Sequence, residues 1–166
     1  AYTAGTLGHR AIYKMDLCTR QVVALTDGTY DESWPAWSPL GDKIAFMRLT
    51  PGEQDDVYLI NPDGTGLFKL TNWLYGDRFP AWSRDGQWIA FSSDRFYAGQ
   101  DLYIVRPDDP ASVQIVLQTN RPGIDDRRDE IYPSWSPDGW IYHTFVYKDA
   151  PADAFDYLYR VRPPWG

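Results

Sequence analysis

Pro35-Ala-Trp-Ser-Pro39, Pro80-Ala-Trp-Ser-Arg84 and Pro133-Ser-Trp-Ser-Pro137 are three copies of one pentapeptide in a chain of 166 residues. Each copy is followed by a glycine and then by an Ile-Ala-Phe or Ile-Tyr-His triplet. An Asp-x-Tyr segment and a Leu-Thr or Gln-Thr pair complete the two full units. Self-similarity at such a period indicates a repeat architecture, in which each unit is one supersecondary element.

Each unit has the pattern of four short strands. The first ends at Trp-Ser, the second carries the alternating Ile-Ala-Phe triplet, the third contains Asp-x-Tyr, and the fourth ends near the threonine. Pro-Asp-Gly-type sequences between them favour tight hairpin turns. Four-stranded repeats with periodic aromatic residues are typical of β-propeller blades. An antiparallel sandwich is the alternative, since regular short strands occur there too.

The combined pattern Pro-Ala-Trp-Ser-Pro-x-Gly-x-x-Ile-Ala-Phe, followed by Asp-x-Tyr and Leu-Thr, resembles the repeat of TolB-type β-propellers. The same repeat is found in propellers attached to prolyl-oligopeptidase-like enzymes. The resemblance implies a propeller fold and an extracytoplasmic location, periplasmic or secreted, because such proteins are often exported. It implies little about activity, since one fold hosts many functions.

We therefore predict an all-β fold, a partial β-propeller of antiparallel blades. Two full blades have four strands each, and the blades at the two ends have three. A fragment of a longer polypeptide and a half-ring completed by a partner both remain open. The predicted blades are 1–26 (strands two to four), 27–71, 72–119 and 120–166 (strands one to three).

The composition restricts the partners. A formal net charge of −7 argues against nucleic acid, because phosphate binding requires clustered Lys and Arg. An acidic field favours cations or basic protein surfaces, or it only keeps the surface soluble. No apolar run has the length of a membrane span. Cys18 is the only cysteine, so no disulfide forms within the chain.

Propeller topology divides the loops between two faces. The turns that join strands one and two, and strands three and four, form what we name the tight-turn face. The loops that join strands two and three, and those between blades, form the opposite, loop-rich face. Binding residues concentrate on variable loops of rigid scaffolds, so we expect any interaction surface on the loop-rich face. The variable segments assigned to it are 5–10, 49–55, 95–100, 120–130 and 147–155.

Three acidic residues recur three positions before each repeat proline: Glu32, Asp77 and Glu130. We predict that they surround the mouth of the central channel on the loop-rich face. Such a ring could bind a cation or a basic peptide segment. The interpretation that we favour is structural, with the carboxylates capping main-chain N–H groups where the strands begin.

The insertion 120–130 is the most distinctive stretch of the chain. A charged loop of this kind is usually only solvated, but arginines are also common contact residues at protein interfaces. We name it as the second candidate partner contact. Its candidate residues are Arg121, Asp125, Asp126, Arg127 and Arg128.

The repeated Trp and Tyr residues are expected to fill the space between neighbouring blades, and His143, which replaces a repeat phenylalanine, is expected in the core. The repeated aromatic residues are Trp37, Trp82, Trp135, Tyr58, Tyr103 and Tyr159.

Motifs of catalysis are missing from the sequence. It contains no Gly-x-Ser-x-Gly, no His-Glu-x-x-His, no cysteine pair, no phosphate-binding loop and no EF-hand loop. We expect neither a catalytic centre nor a cofactor or bound metal. The predicted function is a non-enzymatic scaffold that binds a protein partner or further propeller blades. Two alternatives remain: a propeller that gates substrate in a larger peptidase or lyase, and a structural subunit that self-assembles through open blade edges.

Overall fold

The computed structural model describes residues 1–95, 99–117, 128–147 and 157–163, without the side chains of Arg128 and Tyr147. Within these ranges the secondary structure is all β, with no helix. The strands are β1 (Tyr2–Thr6), β2 (His9–Met15), β3 (Val22–Ala24), β4 (Asp31–Trp37), β5 (Ile44–Leu49), β6 (Asp55–Ile60), β7 (Phe68–Lys69), β8 (Asp77–Trp82), β9 (Ile89–Ser93), β10 (Asp101–Arg106), β11 (Asp109–Leu117), β12 (Arg128–Trp135), β13 (Ile141–Tyr147) and β14 (Tyr157–Val161). Across the part of the chain so described, nothing forms a helix of the length and hydrophobicity needed to cross a bilayer.

The strands form four antiparallel sheets in chain order, which we name blades 1 to 4. Blade 1 contains β1-β2-β3, blade 2 contains β4-β5-β6-β7, blade 3 contains β8-β9-β10-β11, and blade 4 contains β12-β13-β14. The predicted partial propeller, with two four-stranded and two three-stranded blades, is therefore confirmed. The predicted divisions between blades at 26, 71 and 119 stay predictions, and the last of them lies outside the described residues.

Alternation along the second strand of each blade explains how the blades stack. In β5, Ile44 and Phe46 point to one side of the sheet and Ala45 to the other, and all three are buried. Phe46 packs toward blade 1, whereas Ala45 packs toward blade 3. The bulky face of one blade thus covers the small-residue face of the blade before it. Burial of these faces forms the apolar cores between blades.

The turn after each pentapeptide is closed by two corresponding hydrogen bonds in the three blades that contain it, although the turn of blade 4 is one residue shorter. In blade 2 the Ser38 N–H donates to the Lys43 oxygen at 2.9 Å, and the Gly41 N–H donates to the Ser38 oxygen at 3.0 Å. Gly41 has φ of 73°, a region in which a residue with a Cβ is strained. Equivalent bonds at Ser83 and Ser136 explain why Ser and Gly recur at these positions.

The innermost strands of blades 2, 3 and 4, which are β4, β8 and β12, carry a bulge that the sequence pattern does not predict. Strand pairing with the second strand is interrupted between Ser33 and Ala36, and at the equivalent places in blades 3 and 4. The residue before each repeat proline has positive φ: 56° at Trp34, 59° at Phe79 and 55° at Tyr132. Bulges bend a strand and redirect a side chain.

The repeated aromatic residues are only partly interior. Trp82 and Trp135 pack against the cores between blades, and Tyr58 and Tyr103 are buried, as expected. Trp37 and Tyr159 are instead exposed, which corrects the prediction for these two. The prediction for His143 is confirmed, because this side chain is buried and stacks on Tyr159 with ring centroids 6.2 Å apart.

Candidate functional site

The three recurring acids have buried side chains, and their place around a channel mouth stays a prediction. Glu32, Asp77 and Glu130 belong to the innermost strands β4, β8 and β12, and all three side chains are buried. Buried carboxylates require partners, because an ionised group without one loses its solvation. The partners of Glu32 and Asp77 are arginines from the second strand of the same blade or from the segment that follows it.

Glu32 is held by Arg48 at the end of the second strand of blade 2. The Arg48 Nε donates to Glu32 Oε1 at 2.7 Å, Arg48 Nη2 donates to the same oxygen, and the Thr26 hydroxyl donates to Oε2. Burial raises the pKa of Glu32, and the Thr26 and Arg48 donors offset part of that rise. The Arg48 guanidinium also lies over the rings of Tyr30, at 4.7 Å, and Tyr58, at 4.6 Å.

Asp77 is held in the same way by Arg95 in blade 3. The Arg95 Nη2 donates to Asp77 Oδ2 at 2.7 Å, and its Nε donates to the Ser93 hydroxyl at 3.0 Å. The guanidinium lies over the rings of Trp73, at 4.8 Å, and Tyr103, at 5.1 Å. Burial raises the pKa of the Tyr103 hydroxyl above its ordinary value.

Blades 2 and 3 therefore share one arrangement, which we name the arginine clamp: an acid of the innermost strand, an arginine, and an aromatic ring of the loop between blades. Arg48 follows Glu32 by 16 residues, whereas Arg95 follows Asp77 by 18. The aromatic residue precedes the acid by two positions at Tyr30 and by four at Trp73. Because these offsets differ, sequence reasoning did not find the clamp.

The loop at 72–76 between blades 2 and 3 is the most apolar exposed segment of the loop-rich face among the described residues. Trp73 is 57% exposed, Leu74 89% and Tyr75 44%. Before the loop, the Thr71 hydroxyl accepts from the Val57 N–H at 3.0 Å, and at its end the Gly76 N–H donates to Asp94 Oδ1 at 2.7 Å. The loop was not among the predicted binding segments, although three adjacent large apolar residues between two strands were a readable signal.

Three aromatic side chains meet at the propeller axis. Trp34 and Phe79 lie edge to face with ring centroids 5.0 Å apart, and Tyr132 lies 4.5 Å from Phe79 and 5.2 Å from Trp34. With the following prolines and the first two residues of the chain they line a cavity of about 350 Å³. The rings contact one another and present an apolar surface to this cavity. An aromatic residue before every repeat proline was the sequence signal that we missed.

Most of the charged insertion lies outside the described residues. The candidate residues outside the described ranges are Arg121, Asp125, Asp126 and Arg127. Arg128 begins β12, but its side chain is not described. Next to it, Asp129 Oδ1 accepts a hydrogen bond of 2.7 Å from the Gln100 N–H. The contribution of this insertion to binding stays a prediction.

The described ranges contain no group of three His, Cys, Asp or Glu side chains arranged to hold a metal ion. Several carboxylates on this face pair with cations. Asp31 accepts two bonds from the Arg10 guanidinium, of 2.6 and 2.7 Å, and these bonds lower the pKa of Asp31. What the loop-rich face offers chemically is an exposed apolar loop set among ion pairs.

Comparison with known proteins agrees with this architecture. The family model of the TolB beta propeller domain matches residues 1–144. No curated protein matches the sequence significantly.

Three solved structures illustrate the likeness. A protein of Agrobacterium tumefaciens described as TolB superimposes with a TM-score of 0.72 at 22% identity, over 91% of this chain and 52% of that one. TolB from Acinetobacter baumannii superimposes with a TM-score of 0.69 at 18% identity, over 95% of this chain and 36% of that one. A puromycin-hydrolyzing peptidase of Mycobacterium tuberculosis superimposes with a TM-score of 0.66 at 14% identity, over 98% of this chain and 26% of that one.

At these identities the structural likeness establishes the fold alone. This chain spans about half the length of the first TolB protein and a smaller share of the other two proteins. The family match covers most of the sequence, including all three pentapeptides. The chain belongs to the TolB β-propeller domain family.

Proposed function

We propose that this chain is a non-enzymatic interaction scaffold that binds a protein partner through its loop-rich face. The observation that carries the proposal is the loop at 72–76, which exposes Trp73, Leu74 and Tyr75 side by side. Contiguous apolar side chains on a protein surface mark interaction sites, and Trp and Tyr are over-represented among the residues that dominate binding energy.

Rigid support strengthens the proposal. The Trp73 ring rests on Arg95, which is buried and paired with Asp77, and hydrogen bonds hold the backbone beside the loop. A contact residue that is ordered before binding loses less conformational entropy when the partner arrives. In this proposal Glu32 and Asp77 contribute from below the surface, by holding arginines in place, and not by touching the partner.

The rest of the loop-rich face would form the rim of the interface. Charged residues at a rim steer association more than they add affinity. Arg121, Asp125, Asp126, Arg127 and Arg128 belong to this proposed rim. A periplasmic or secreted location is part of the proposal, supported by the likeness to TolB proteins.

Site-specific photo-cross-linking in cells of the source organism tests the proposal. Leu74→p-benzoylphenylalanine places the probe on the loop-rich face, and Leu40→p-benzoylphenylalanine places it on the tight-turn face at a residue that is 73% exposed. We expect a discrete cross-linked protein from position 74 that is missing at position 40. Cross-links of equal yield from both positions, or from position 40 alone, would show that the loop-rich face is not the binding face.

A further inference from the structure

We propose that the loop at 72–76 recognises a basic, apolar segment of its partner, in which a lysine or arginine stands beside large apolar side chains. The proposal rests on the proposed function, because it names the chemistry of the partner for that same surface. It follows from the charges around the loop and from the way in which Trp73 is held.

The cations near the loop are already neutralised. Arg95 pairs with Asp77, and Arg78 pairs with Asp55 at 2.6 Å and with Asp94 at 3.4 Å. Lys69, in the strand before the loop, pairs with Glu53 at 2.9 Å and with Asp56 at 2.8 Å.

Arg78 and Lys69 thus each face two carboxylates, which leaves an excess of negative charge beside the loop. Glu53 and Asp94 are also partly exposed to solvent. The whole chain has the same sign, with a net charge of −7. An acidic surround of this kind attracts a cationic segment and repels an anionic one.

The indole of Trp73 suits such a segment. Its ring contacts the Arg95 guanidinium at 4.8 Å, while more than half of the side chain remains exposed. Indole rings attract cations through their quadrupole, and Trp is the strongest of the aromatic side chains in this respect. The charge of Arg95 is compensated by Asp77, so a second cation from the partner meets little repulsion. Leu74 and Tyr75 supply apolar contact next to it.

The experiment uses synthetic peptides as probes on the intact chain. Twelve-residue peptides of alternating leucine with lysine, glutamate or asparagine are titrated into protein labelled with 15N, and the indole N–H resonances of the tryptophans are followed. Trp73→Phe assigns the resonance of Trp73. We expect the leucine–lysine peptide to shift that resonance and to bind at least about tenfold more tightly than the leucine–glutamate peptide, with affinity that falls as salt increases.

Matched variants locate the contact. Trp73→Ala and Leu74→Asn, both at exposed positions, are expected to weaken the leucine–lysine peptide at least about fivefold, whereas Leu40→Asn on the opposite face leaves it unchanged. Glu53→Gln is expected to weaken the lysine peptide and not the asparagine peptide, because it removes charge and little contact area. Arg95→Lys tests the support: the positive charge remains, but the planar group under the indole is lost, so the Trp73 shift should shrink.

Equal binding of the lysine and glutamate peptides, an unshifted Trp73 resonance, or shifts of similar size at all the tryptophans would overturn the proposal. The result is separable from the scaffold function. A cross-link at position 74 together with preference for the glutamate peptide keeps the scaffold and rejects the basic segment. Specific cross-links at position 40 alone reject the scaffold, whatever the peptides show.

Discussion

The indole N–H of Trp82 donates a hydrogen bond of 3.1 Å to the main-chain oxygen of Ala36, on the innermost strand of the neighbouring blade. Trp135 makes the same 3.1 Å bond to Ala81, one blade further on. Both donors and both acceptors belong to the pentapeptide that recurs along the chain. The repeat therefore conserves a bond between blades as well as a packing volume, which explains why the ring at this position carries an N–H.

Replacing the indole by a ring without a donor tests the value of this bond. Trp82→Phe and Trp135→Phe should each lower the free energy of unfolding by about 1–3 kcal/mol, because a main-chain oxygen loses its donor and some packing is lost. Urea unfolding followed by circular dichroism gives the measurement. Trp37→Phe is the control, since the Trp37 indole is exposed and makes no equivalent bond within the described structure; a loss as large there would contradict the explanation.

The arginine clamp predicts a large difference between buried and exposed ion pairs. Asp77→Ala leaves the buried Arg95 guanidinium without its carboxylate, and we expect the free energy of unfolding to fall by about 3–5 kcal/mol. Asp108→Ala removes a partner from the exposed Arg106 pair and should change it by about 0–1 kcal/mol. Denaturant midpoints of the two variants decide the question, and similar midpoints would mean that the clamp is not important for stability.

His143 predicts how stability depends on pH. Burial lowers the pKa of His143 below its ordinary value of 6.5, so the unfolded chain binds this proton more readily than the folded one. The stability that comes from keeping the ring neutral is therefore complete above pH 6.5 and is lost as the pH falls from 6.5 toward the lowered value.

His143→Phe, which restores the residue of the other units, should remove that part of the pH dependence. We expect the melting temperature of the unsubstituted chain to fall more between pH 7.5 and 5.5 than that of the variant, because the carboxylates contribute about equally in both. Scanning calorimetry at the two pH values measures the difference. Parallel decreases would show that His143 accepts its proton in the folded state without cost.

At the bulge residues with positive φ, we expect a glycine variant to be more stable than an alanine variant, which is the reverse of the order in a regular strand. Trp34 has φ of 56°, where a Cβ costs about 1–2 kcal/mol, so Trp34→Gly should be more stable than Trp34→Ala by about 1 kcal/mol. Val23 is the control, because it lies in a strand and is exposed to the same extent, 47%. There the alanine variant should be the more stable, and the same order at both positions in chemical denaturation would argue against strain at the bulge.

The architecture was readable from the chain because its determinants are local and repeated. A serine and a glycine close each turn within a few residues, and alternation in Ile44-Ala45-Phe46 assigns one side of the strand to each neighbouring blade. Strand order then follows from short connections, which place consecutive strands side by side. The prediction that every repeated Trp and Tyr fills the space between blades was wrong for Trp37 and Tyr159, whose side chains are exposed. Burial of such a side chain depends on which blade carries it, and the repeat pattern alone does not give that.

The candidate site depends on contacts that no sequence interval reveals. Spacing predicted Glu32, Asp77 and Glu130 just before the innermost strands, whereas they lie within those strands. It did not predict their burial, which depends on the strands and blades packed around them. The arginines that hold Glu32 and Asp77 stand at different offsets, and only the folded backbone brings Arg48 and Arg95 to equivalent places over aromatic rings. Periodic hydrophobicity and turn residues encode the blades because they act over a few residues, whereas charge pairing and the exposure of Trp73 arise between segments that meet only after the blades have packed.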